Sequence, residues 1–80
     1  SMCMIADEIR ELLQAESFRP IRIVLSDQQS FTVAHTDYIM ISPDRQTVML
    51  YDEHSRFKII NAQQIKLVEP VEPLPSGGTS

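Results

Sequence analysis

The chain has 80 residues, with seven basic and eleven acidic side chains, a formal net charge of −4 and a single cysteine. That length fits one domain. The acidic balance weighs against a protein held to nucleic acid by a basic stripe, and one cysteine excludes an internal disulfide. No run approaches the roughly 20 apolar residues of a membrane-spanning helix, and no charged segment leads into a signal-type apolar stretch. A cytoplasmic protein without membrane or DNA partners is expected.

Ser1 before Met2 reads as a tag remnant, so residues 1–4 are expected to be that remnant and a frayed N-terminus. Ile5, Ile9, Leu12 and Leu13 then recur at helical spacing. Asp7, Glu8 and Glu11 fall in the early turns, where the helix dipole favours negative charge. No residue there makes a good N-cap, so the helix is expected to begin between Met2 and Asp7. Ser17 and Pro20 should stop it. After Pro20 the period changes to two: Ile21, Ile23 and Leu25 share one face, and Phe31 and Val33 continue it beyond a turn at Ser26 to Gln29.

His35-Thr36-Asp37 interrupts the pattern before Tyr38 to Ile41 resumes it. Ser42-Pro43-Asp44-Arg45 is a strong turn signal. Strands are expected at Gln46 to Tyr51, Arg56 to Ile60 and Ile65 to Val68, with a one-turn link at Asn61 to Gln64. From Glu69 onward the chain is rich in Pro, Gly and Ser and reads as a disordered tail over residues 69–80. The expected fold is mainly β: an N-terminal α-helix followed by a five-stranded, strongly bent antiparallel small barrel, Sm-like or SH3-like, over residues 5–68. A core of that size buries only about 60% of the unfolded surface, which favours self-association.

Candidate chemistry is sparse. His35 and Asp37 share a strand face and could orient a base or a metal ligand, but no nucleophile or third ligand stands at a recognisable spacing. A polar kink is the plainer reading. His54 with Asp52 and Glu53 fits a solvated turn. Cys3 has no basic neighbour to lower its pKa. Ser17 and Ser42 lack a nucleophile elbow, and Gly77 and Gly78, in the tail, form no phosphate loop. The chain is therefore not expected to be an enzyme or to need a cofactor or metal. A small metal-dependent enzyme centred on His35 and Asp37 is the third-ranked reading. Tyr38, Met40, Met49 and Tyr51 form the second face of their strands; core beneath the helix is the favoured explanation, and an interface the other.

The stretch A-D-E-I-R-E-L-L with F-R-P-I-R-I-V-L-S-D-Q-Q-S-F-T-V-A-H resembles a family of short bacterial proteins with no assigned activity. In that family the same helix precedes F-R-P-F-x-I-x-L-x-D-G, and this chain departs from the pattern at Gln28 and Thr36. The order of helix, bent strands, short turn and final strand is similar to the Sm fold, including the RNA chaperone Hfq. The resemblance implies a ring in which one copy's Arg56, Phe57, Lys58, Ile59 and Ile60 pair with Ile65, Lys66, Leu67 and Val68 of the next. It also makes RNA a candidate partner, which the acidic charge disfavours. Gln46 stands where the Hfq-type stacking aromatic belongs and Ile60-Asn61 where its Lys-His pair belongs, leaving a reduced site of Arg45, Gln46, Lys58, Asn61 and Lys66. The first reading is thus a non-catalytic, self-associating Sm-like binding or scaffold module. An Hfq/Sm-type RNA-binding regulator is the alternative.

Overall fold

Pro20 separates two periodicities, and the structure changes type there. The computed structural model describes residues 4–71. Helix α1 spans Met4–Leu13. The strands are β1 (Ile21–Leu25), β2 (Ser30–Val33), β3 (Ile39–Ile41), β4 (Thr47–Tyr51), β5 (Phe57–Asn61) and β6 (Ile65–Pro70). Short 3-10 turns at Thr36–Tyr38 and Ala62–Gln64 precede β3 and β6. The tag remnant, Cys3 and the tail from residue 72 lie outside the described residues.

The helix ends sooner than Ser17. Gln14, Ala15 and Glu16 are all exposed, so no apolar face holds another turn in place, and the last bond tightens to Ala15 N–H donating to the Leu12 carbonyl. The helix inserts Ala6 and Ile9 fully into the interior, with Ile5, Leu12 and Leu13 partly buried around them.

Six strands form two three-stranded antiparallel sheets, ordered β2-β1-β6 and β3-β4-β5. The mainly β class with an N-terminal helix is as expected. The pairing does not close the strands into one five-stranded barrel. Residues 35–38 cap and form a 3-10 turn, which divides the second strand region into β2, paired with β1, and β3, paired with β4.

Alternation decides burial. Ile21, Ile23 and Leu25 of β1, Phe31 and Val33 of β2, and Val48 and Leu50 of β4 all face the core between the sheets. No polar side chain is buried among the described residues.

The expected tail begins too early in the sequence reading. Glu69 and Pro70 belong to β6, opposite Arg22 and Ile21. The Arg22 guanidinium meets the Glu69 carboxylate at 3.0 Å, and Val71 N–H donates to the Pro20 carbonyl. Pro is tolerated there because β6 is an edge strand whose last residue needs no outward donor.

Three hairpin turns share one construction. Gln28, Arg45 and Ser55 have φ of 78°, 63° and 63°, and their N–H groups donate back to Leu25, Ser42 and Asp52 respectively. Each is a left-handed residue at the end of a tight turn, where a Cβ costs about 1–2 kcal/mol. Gln28→Gly should therefore raise unfolding free energy by up to about 1 kcal/mol in urea titrations, the relief being offset by unfolded-chain entropy. Ile9→Ala, by contrast, should lower it by about 2–5 kcal/mol.

A candidate docking face on the second sheet

In β4 the side chains opposite to Val48 and Leu50 are Thr47, Met49 and Tyr51. Register extends that outer face across the sheet: Met40 of β3 lies opposite Met49, which lies opposite Ile59 of β5, and Tyr51 lies opposite Phe57. Tyr38, from the 3-10 turn before β3, joins the aromatic end. Most of these side chains are open to solvent, with Met40 63% exposed, Phe57 53% and Ile59 68%, while Thr47 and Met49 are half-buried among them. Core beneath the helix is therefore not their role. The helix packs beside β6 and leaves this face uncovered. Their period-two spacing is a strand's own, but it cannot distinguish a face covered by the helix from one left bare.

At the aromatic end the face is concave. An open depression of about 450 Å³ is lined by Asp37, Tyr38, Tyr51, Asp52 and Ser55. It shares Asp37, Tyr38 and Tyr51 with a smaller one of about 160 Å³, lined also by Met40, Met49 and Phe57. The Tyr51 and Phe57 rings are tilted at 51° with centroids 5.3 Å apart, a favourable edge-to-face class of contact. Among the described residues no Lys or Arg lines either depression. Lys58 turns to the opposite side, its ammonium 5.5 Å from the centre of the Phe31 ring.

The acids are held by the turns. Asp52 Oδ1 accepts from the Arg56 and His54 backbone N–H groups at 3.0 and 2.8 Å. The Arg56 bond, then that of His54, keeps its carboxyl below the usual range. The Glu53 carboxylate crosses to the first sheet, accepting from Thr32 N–H at 2.9 Å, which lowers its pKa too. That bond occupies a donor on the edge of β2. Among the described residues edge strand β5 has no such cover: in its alternation with β4, the backbone groups of Phe57, Ile59 and Asn61 face outward.

The sequence-derived candidates are dispersed. His35 caps the 3-10 turn, its Nδ1 accepting from Asp37 N–H at 3.2 Å; its ring lies between Phe18 and Tyr38. The pair therefore works as a turn cap, and Asp37 also reaches the depression. Among the described residues no group of three His, Cys, Asp or Glu could hold a metal, and His54 N–H is engaged by Asp52.

Of the reduced RNA site, Gln46 and Asn61 are brought together, since Thr47 pairs with Asn61 and Ala62 N–H reaches the Gln46 carbonyl. Arg45 is instead drawn to Asp7 of α1 at 2.7 Å, Lys58 lies on the opposite face from Asn61, and Lys66 stands on the other sheet. Of the expected interface strands, both are sheet edges. Ile60 and Ile65 nevertheless point into the chain's own core, at 4% and 6% exposure, so their side chains are unavailable to a partner. Phe57, Ile59 and Leu67 remain exposed.

The convergence of Asp37, Tyr38, Tyr51, Asp52 and Phe57 was missed, and so was Glu53 as an edge cover. Only the turn signal at Asp52 to Ser55 hinted at it. No helix of the described residues is long and apolar enough to cross a membrane. No protein-family model, curated protein or solved structure matches the chain.

Asp27, Asp44, Asp52 and Glu53 all have lowered pKa values, led respectively by hydrogen bonds from the Gln29 side chain, the Ser42 hydroxyl, Arg56 N–H and Thr32 N–H. A depressed folded-state pKa adds stability above the unfolded value and loses it as pH falls through the folded one. Thermal midpoints should thus be flat from about pH 7 to 5 and fall below about pH 4, near the ordinary carboxylate values. Melts of the wild type and of Glu53→Gln across that range check this, the variant showing the shallower fall.

Proposed function

We propose that this chain is a non-catalytic, self-associating binding or scaffold module, a small Sm-like or SH3-like barrel in build, whose copies meet along β5. One observation carries the proposal. The apolar row Met40–Met49–Ile59 runs outward to an edge strand on which Ile59 is exposed and, among the described residues, the outward backbone groups of Phe57, Ile59 and Asn61 have no partner. Bare edges invite strand addition, and soluble proteins usually blunt them. Here β2 is covered by Glu53 and β6 ends in Pro70, while β5 presents Phe57 and Ile59.

The Sm-like build draws support from the strand order, from the 3-10 turn between β5 and β6, and from the polar break that divides β2 from β3. The edge of β6, where Leu67 is exposed, is the strand that a ring would bring against β5. An Hfq-type RNA regulator has less support, because the acidic balance is joined by the engagement of Arg45 with Asp7 and of Lys58 with Phe31.

Light scattering at tens of micromolar should give a mass above one chain. Ile59→Lys should reduce it to one chain while far-UV circular dichroism is unchanged, since surface substitutions cost within about 0.5 kcal/mol. A strictly monomeric wild type overturns the reading. Short U- and A-rich RNA at low salt, where screening is weakest, should show no saturable binding; saturable binding would favour the RNA regulator.

A further inference from the structure

We infer that the depression between the first 3-10 turn and the β4–β5 turn is a docking site for an arginine side chain carried on an extended partner peptide, with an apolar residue two positions away seated over Met40, Met49 and Phe57. This deepens the binding-module reading by naming its ligand.

Charge complementarity comes first. The larger depression presents two tyrosines and two aspartates, and among the described residues no basic side chain lines either depression. Aromatic faces attract cations through their quadrupole, and carboxylates at the same rim add direct attraction. An anionic occupant would be repelled by Asp37 and Asp52, and a purely apolar one would gain nothing from them. Arg suits the site better than Lys, because guanidinium is planar, weakly hydrated and stacks on rings.

Shape then separates a peptide from a free cation. The two depressions share Asp37, Tyr38 and Tyr51 in their walls, so a lone guanidinium in the larger one would leave the smaller, more apolar one unfilled. In an extended peptide the side chains at i and i+2 lie on one face, which matches a cation next to an apolar group. Phe57, which walls the apolar half, begins the free edge of β5. Its outward backbone groups are placed to hydrogen-bond such a peptide as an added strand, in competition with a second copy for the same edge. Asp52 stays ionised in this setting because two backbone donors already favour its charged form.

The probe is a labelled hexapeptide Thr-Arg-Thr-Leu-Thr-Thr, titrated by fluorescence anisotropy against the full chain. A citrulline-for-arginine peptide is the neutral isostere. The arginine peptide should bind saturably, and the citrulline peptide at least about fivefold more weakly, the differential expected of a cation over aromatic rings. Tyr51→Ser should weaken binding by about tenfold or more, and the double variant Asp37→Asn with Asp52→Asn should weaken it and flatten its salt dependence. Asn at position 52 keeps the oxygen that accepts from His54 and Arg56, so the turn is preserved.

No saturation at about 1 mM, equal binding of the two peptides, or free argininamide binding as tightly as the peptide would each overturn the assignment. So would a Tyr51→Ser protein whose association state changes while peptide binding does not, because the depression would then belong to a contact between copies. Light scattering on the same samples reads self-association separately, so failure of one reading is distinguishable from failure of the other.

Discussion

Among the described residues, a helix of ten residues is all there is to cover two sheets. Its contribution to the interior is narrow: Ala6 and Ile9 fully enclosed, and three further apolar side chains at the margin. Each fully buried aliphatic side chain stabilises by roughly 1.5–3 kcal/mol, so Ile9 matters disproportionately in a domain this small. The helix lies beside β6, and the Asp7–Arg45 contact ties it to the β3–β4 turn. That contact is about half exposed and worth at most about 1 kcal/mol; packing, not charge, fixes the helix. Everything on the far side of the second sheet is left without cover as a result.

Much of the first sheet was legible because its two faces differ in chemistry. Ile21, Ile23 and Leu25 alternate with Arg22 and Val24, and Phe31 and Val33 with Ser30 and Thr32, so one face had to be interior. The second sheet is apolar on both faces, and alternation alone does not say which one the core takes. Val48 and Leu50 went inward and Met49 and Tyr51 outward because the helix lies on the other sheet's edge, a tertiary fact. The β6 terminus was hidden for another reason: Glu69-Pro70 has a tail's composition, and only its pairing with Arg22 and Ile21 makes it a strand. The docking depression depends on hairpin register bringing Tyr38 beside Tyr51 and Phe57, across separations that no local motif spans.

The acidic residues of the turns serve two ends. Asp27, Asp44 and Asp52 each accept backbone N–H groups within their own hairpins, which favours tight turns in a chain that has no glycine at the three left-handed positions. Asp52 also faces the aromatic depression. Glu53, its neighbour, spans to the other sheet. A single four-residue turn thus shapes one edge, screens another and sets the charge of the concave surface, so substitutions in it have effects that are not separable by position alone.

The pairing of β1 with β6 carries a consequence for folding. Hairpins β1–β2, β3–β4 and β4–β5 each close within about a dozen residues, whereas β1 must find a strand whose far end is Pro70, opposite Ile21. Loop closure of that length has to precede any gain from the contact, so it is the costliest closure in the fold in chain entropy. Until β6 arrives, the edge of β1 opposite β2 is open. The strand that completes the monomer is therefore the one that turns β1 from an edge into the centre of its sheet.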